Sequence, residues 1–199
     1  MYNLPETTTI NQQLPKKAIY EKFSFKATER ERFDADISRM ALVARISTQT
    51  IPALAIGKEI EGFYVVDVQL KQKNYNEQNI ILLTKLIPQR MVFALQYENE
   101  VRFAVFHARL QQSEWKSIDE ADLPIEGLNL DTVWENIVSA IGSVQVQEGL
   151  TLEESILEEE RKESLLKKIE SLERKLKKEN QAHRKYELHK QIQKLKSEI

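Results

Sequence analysis

The segment Asp67-Val68-Gln69-Leu70-Lys71 carries the spacing of a hydrolytic metal site. Metal-dependent nucleases place an acid on one strand and an acid-x-Lys element on the next. The carboxylates hold the cation and the lysine orients or activates the attacking water. Asp67, Gln69 and Lys71 alternate, so on a strand they share one face, with Glu59 and Glu61 just upstream. Gln69 stands where the second acid belongs, and the missing carboxylate weakens metal binding. An exposed polar sheet face explains the same alternation, so the nuclease reading stands as an alternative to a chain with no catalytic residues.

Other chemistry is scarce. The 199 residues contain no cysteine, which removes disulfides, Cys-ligated zinc or iron–sulfur centres and thiol nucleophiles. His183 and His189, six apart, fall about 120° from a common helical face, and His107 sits alone in a strand. The patterns GxGxxG, GxxxxGK, HExxH and GxSxG are missing. No metal or cofactor site is expected. A basic run in the last quarter of the chain offers Lys175, Lys178, Arg184 and Lys185 as candidate phosphate contacts. Its interleaved glutamates also suit i,i+4 pairing on a solvated helix.

These residues need elements to hold them. Thr28 with Glu31 has the form of a capping box, and Phe33, Ile37, Met40 and Ala44 recur at intervals of 4, 3 and 4, which predicts a helix over 28–46. Ile51 to Ile56 reads as a short strand with Pro52 at its edge. In the next segment Tyr64, Val66, Val68 and Leu70 form an apolar strand face backed by a half-polar one. A short helix over 77–86 stops before Pro88. Met91 to Tyr97, a turn at Glu98-Asn99-Glu100 and a return from Val101 to Leu110 predict an antiparallel hairpin. Residues 111–130 read as irregular. A helix capped by Asn129 or Asp131 then carries Val133, Trp134, Ile137, Val138 and Ile141. The expected fold is α/β (α+β): a small, mostly antiparallel sheet with packed helices, followed by a long C-terminal helical or coiled-coil tail. The divisions are an N-terminal arm (1–15), an α/β domain (16–149) and the tail (150–199).

The tail has a different composition. Residues 150–199 contain no Gly or Pro, and 24 of the last 49 residues are charged. Net charge is −4 over 1–150, −5 over 151–160 and +7 over 161–199. Leu165, Ile169, Leu172 and Leu176 have coiled-coil spacing, repeated by Leu188, Ile192, Leu195 and Ile199. The 12 residues from Leu176 to Leu188 put the stripes about 120° apart on one straight helix. Either the register breaks across 177–187 or the chain folds back; with no Gly or Pro to mark a turn, the continuous helix is favoured. Exposed apolar stripes need a surface, so these residues predict a homo-oligomer through the tail. The charge step favours antiparallel pairing of copies. The opening residues lack the basic and apolar regions of a signal peptide, and no apolar run reaches 18 residues. The expectation is a cytoplasmic protein with no membrane partner.

Several short matches span residues 4–199: Leu14-Pro15-Lys16-Lys17 with Tyr20 and Phe23, Ile87-Pro88 leading into Val92-Phe93-Ala94-Leu95, Phe106, and Ser113-Glu114-Trp115. In the tail, Leu172-Glu173, Lys178-Glu179-Asn180-Gln181, Arg184-Lys185 and Glu187-Leu188 continue the match. On these the chain resembles a bacterial family of uncharacterised proteins, a domain of unknown function encoded near helicases, DNA methyltransferases and restriction or defence genes. The resemblance implies an accessory role in DNA restriction or phage defence, with a helicase or methyltransferase as partner. It supplies no catalytic residues.

Overall fold

The computed structural model describes residues 1–146 and 149–198, which divide into two compact units, Met1–Gln145 and Val146–Ile199. In the first unit the strands are β1 (Thr9–Gln13), β2 (Ile37–Ser47), β3 (Gly62–Leu70), β4 (Met91–Tyr97), β5 (Glu100–His107), β6 (Arg109–Gln112) and β7 (Lys116–Ser117). Its helices are α1 (Lys16–Lys22), α2 (Ala27–Asp36), α3 (Gln78–Leu86) and α4 (Leu130–Gly142). One sheet runs β1-β2-β3-β4-β5-β6, with β7 also paired to β5. All pairings are antiparallel except β3–β4. That parallel pair requires a crossover, which α3 supplies.

Alternation along the strands separates two cores. Val66, Val68, Phe93 and Leu95 face a layer holding Ile19 of α1, Phe33 of α2 and Ile80 and Leu83 of α3. On the opposite face, Phe63 meets Trp134 of α4 edge to face at 5.3 Å, beside the buried Val65, Val92 and Val105. The half-polar face expected to be bare is therefore covered over part of its length.

The helix expected over 28–46 ends at Asp36, and Ile37–Ser47 is a strand. Register shifts at Ile37/Arg39 and Leu42/Ala44 insert extra residues into β2. The first bulge turns a two-residue step into the three-residue interval from Ile37 to Met40, while Ala44, opposite Val65, lies on the other face, so the helical spacing read in sequence combines residues of both faces. The cap is also displaced: Glu29 Oε2 accepts from the backbone N–H of Lys26, not Thr28 with Glu31. Residues 51–56 form no strand; Ala55 makes an isolated parallel bridge to Asn129. The return from Val101 reverses at Ala108 (φ 58°), which lets β6 fold back on β5. The N-terminal arm enters the sheet as β1.

Asp36, 4% exposed, ties the helix layer together. Its carboxylate accepts from the Asn76 amide (2.7 Å), Gln72 Nε2 (2.8 Å) and Asn79 Nδ2 (2.8 Å). On the other face, Asp131 accepts from the backbone N–H groups of Lys58 (2.6 Å), Glu59 (3.2 Å) and Ile60 (2.9 Å). Asn129, not Asp131, caps α4, accepting from Thr132 N–H at 3.0 Å. Desolvation raises the Asp131 carboxyl, but the three backbone donors outweigh it and hold it below the ordinary range.

The second unit holds two helices, α5 (Leu152–Lys178) and α6 (Ala182–Lys196). They pack as a helical hairpin, so the chain folds back and the continuous tail helix is corrected. Leu165, Ile169 and Ile192 are buried, and Lys196 Nζ reaches Glu173 Oε1 at 2.8 Å across 23 residues. The turn needs no Gly or Pro because Glu179 and Gln181 simply adopt extended backbone. Glu179 Oε1 accepts the amides of Asn180 (2.8 Å) and Gln181 (3.0 Å), which occupies donors at the start of α6. Thr151 opens α5 in a capping box with Glu154. Ile199 lies outside the described residues. Among the described residues, no helix is long and apolar enough to cross a membrane.

Candidate functional site

Asp67 sits in the middle of β3, opposite Ala41 of β2 and Ala94 of β4. Two small neighbours leave room over the carboxylate, and a cavity of about 180 Å³ opens there, lined by Asn11, Gln13, Arg39, Gln69 and Gln96 among others. Tyr2 reaches the same carboxylate. Its hydroxyl donates to Asp67 Oδ1 at 2.8 Å, and its ring meets Phe103 edge to face at 5.2 Å. Gln96 Nε2 donates to Asp67 Oδ2 at 3.1 Å and to the Tyr2 oxygen at 2.5 Å.

Burial dominates the electrostatics. It raises the Asp67 carboxyl to about 6, against the opposing pull of the Tyr2 hydrogen bond, the Arg39 charge and Gln96. Desolvation first, then the adjacent Asp67 charge, pushes the Tyr2 phenol far above its usual range, so it remains a protonated donor. The carboxylate could exchange a proton near neutrality, but both its oxygens already accept hydrogen bonds. The geometry is that of a tether holding the N-terminal segment on the sheet.

The three residues of the nuclease alternative are divided. Asp67 and Gln69 reach the cavity. Lys71 lies one residue beyond β3, and its Nζ donates to the Asp34 carbonyl at 2.6 Å. Gln69 Nε2 contacts the Gln96 carbonyl at 3.4 Å. Glu59 and Glu61 belong to the loop that Asp131 holds, outside the cavity. Among the described residues, no group of three or more His, Asp or Glu side chains is arranged to hold a metal. His107 accepts from the Trp134 indole N–H at 3.4 Å, where α4 meets the sheet.

Tyr2 and Gln96, the residues that define the Asp67 environment, went unread in the sequence. They lie 65 and 29 residues from Asp67. No motif signals them; alternation places Gln96 opposite Gln69 only after β3 and β4 are known to be parallel.

In the second unit, the turn brings Lys175, Lys178 and Arg184 to one groove of about 460 Å³, with Glu179, Glu187, Leu188 and Gln191. Lys185 follows Arg184 on the exposed surface of α6. Arg184 lies 3.9 Å from Glu179, and His183 lies 3.7 Å from Glu187. Of the apolar stripes, Leu165, Ile169 and Ile192 are buried, while Leu172, Leu176, Leu188 and Leu195 are only half-buried.

The profile of one family, Domain of unknown function (DUF4391), matches residues 2–199, and the chain belongs to that family. No curated protein and no solved structure matches it.

Proposed function

We propose that this DUF4391 member is a non-catalytic adaptor whose helical hairpin joins it to a second copy. The observation that carries this reading is the half-buried seam of Leu172, Leu176, Leu188 and Leu195, with Leu166 of the same helix as Leu172 and Leu176 55% exposed. Two helices share a single line of contact, whereas a bundle of four encloses a core. A second hairpin covers the seam that one hairpin leaves half-open. Bringing each half-buried Leu to full burial contributes about 0.7–1.5 kcal/mol, half the value for a fully exposed side chain, still above the few tenths from an exposed i,i+4 ion pair. The non-catalytic part of the reading is supported by the two hydrogen bonds that occupy Asp67 and by the engagement of Lys71 with Asp34.

Sedimentation equilibrium of the full chain at tens of micromolar tests the assembly. A dimer is expected, weakened by Leu166→Glu with helix content unchanged. A monomer at that concentration overturns the proposal. Incubation with duplex DNA in magnesium or manganese tests the chemistry. No turnover is expected, and sustained cleavage abolished by Lys71→Ala would restore the metal-dependent nuclease alternative on Asp67, Gln69 and Lys71. The family resemblance suggests that the adaptor serves a restriction or defence system, docking a helicase or a DNA methyltransferase. Reconstitution with such an enzyme from the same genome tests that partner.

A further inference from the structure

The helical hairpin concentrates positive charge at its turn. Residues 174–190 contain seven Lys or Arg and two Glu, although the whole chain has a net charge of −2. The fold-back brings the cations of both helices to one end of the unit. Lys175 and Lys178, three apart on α5, share a groove with Arg184 of α6. The two glutamates offset only part of this charge: Glu179 lies in electrostatic reach of Arg184 and Lys185. Arg174 pairs with Glu170, outside the run, at 2.6 Å. Glu179 accepts the amides of Asn180 and Gln181 at the start of α6. Glu187 lies 3.7 Å from His183. Arg184 has a long contact to Glu179, 3.9 Å. Among the described residues, Lys175, Lys178 and Lys185 have no carboxylate within 4 Å.

We propose that this turn is a binding surface for the phosphate backbone of duplex nucleic acid. A protein partner is less suited to it. Interfaces between proteins are depleted of charge at their centres and anchored by buried aromatic or apolar side chains, whereas surfaces that bind nucleic acid are strongly positive. Tyr186, 71% exposed, is the one aromatic residue at the turn. Two packed helices, with axes about 8–10 Å apart, are too wide to enter a major groove about 12 Å across. Contacts therefore fall on phosphates on either side of the groove, and binding is independent of sequence. The groove shares Leu188 with the apolar seam, but its cations are not part of that seam, so nucleic-acid binding and self-association are measured separately.

Fluorescence anisotropy of the purified full chain with a 20-base-pair duplex of arbitrary sequence tests it, with duplex RNA as a second arm for the same phosphate chemistry. Four phosphate contacts, by Lys175, Lys178, Arg184 and Lys185, predict affinity that falls about 100-fold between 50 and 200 mM salt. Replacing all four with Gln is expected to weaken binding at least tenfold at 50 mM salt. The control exchange of Lys17, Lys22, Lys85 and Lys116, all exposed in the first unit, leaves it within twofold. Poly-glutamate at equal charge is expected to compete at least tenfold less well than duplex, whose charges lie closer together. No binding of either duplex at 50 mM salt, a salt effect below about fivefold, or an unaltered affinity in the four-residue variant overturns the proposal. Equal competition by poly-glutamate also overturns it, by assigning the surface to acidic proteins. The salt dependence of the unaltered chain needs no variant to fold.

Discussion

At the scale of single residues, three carboxylates of the first unit, Asp36 buried and Asp67 and Asp131 partly exposed, hold chain segments in place. Asp36 and Asp131 each accept from three donors, and both act as ties between segments. Asp67 has two donors and a raised pKa, about 6 against 3.8. Between those values the folded chain holds a proton that the unfolded chain has released. Stability therefore falls as pH rises through this window, and the penalty is complete above about 6. Asp67→Asn removes the charge and keeps an acceptor for Tyr2. Discounted for partial exposure, the gain at pH 7 is about 1–2 kcal/mol. It disappears near pH 4, where both chains are neutral at this position, and paired urea melts at the two pH values measure it. A loss of stability at pH 7 would show that the charged form is needed by the fold. At Gly57 the constraint is close approach: a Cβ there would lie 2.1 Å from Asp131 Oδ1. Gly57→Ala is accordingly expected to displace the 57–60 loop and lower the melting temperature, whereas an unchanged melt would mean that the loop yields freely.

At the scale of elements, burial sets the expected costs. Leu95 is fully buried in β4 among Val68, Phe93 and Leu83. Leu95→Ala removes transfer energy and leaves a cavity, costing roughly 2–5 kcal/mol. A chemical melt showing a loss below about 0.5 kcal/mol would contradict this placement. In the hairpin, Ile192 is the buried residue of α6. Ile192→Ala is expected to cost about 2–4 kcal/mol of hairpin stability, read as loss of helical ellipticity at a lower temperature. A continuous tail helix would show no such coupling between α6 and α5.

At the scale of the whole molecule, apolar and ionic association separate by their response to salt. The dimer proposed for the hairpin buries leucines, so its mass in sedimentation is expected to be unchanged or greater between 50 and 500 mM salt. Binding of duplex nucleic acid at the turn falls steeply over the same range. A dimer that dissociates with salt would instead indicate that the acidic start of the tail pairs with the basic remainder of another copy.

The sequence by itself determined the elements whose signal is local. The alternation of Met91 to Tyr97 and of Val101 to Val105 predicted the hairpin, which the structure contains as β4 and β5. The stripe from Val133 to Ile141 marked α4, and Gln78–Leu86 fell within the helix expected before Pro88. The 4-3-4 spacing of Leu165 to Leu176 and the 4-3 spacing of Leu188 to Leu195 marked two amphipathic helical runs. Tertiary structure decided the rest. A bulge set the three-residue interval from Ile37 to Met40, Ala44 on the opposite face completed a helix-like spacing, and the partner strands β1 and β3 decided that β2 is extended. The turn at 179–181 needs no special residue, so only the packing of α6, with Ile192 buried, against α5 selected it over a continuous helix. The environment of Asp67 depends on residues 65 and 29 positions away, which local periodicity does not connect. Spacing reports which side chains share a face; which oxygen accepts which proton depends on chain segments that meet only when the sheet closes.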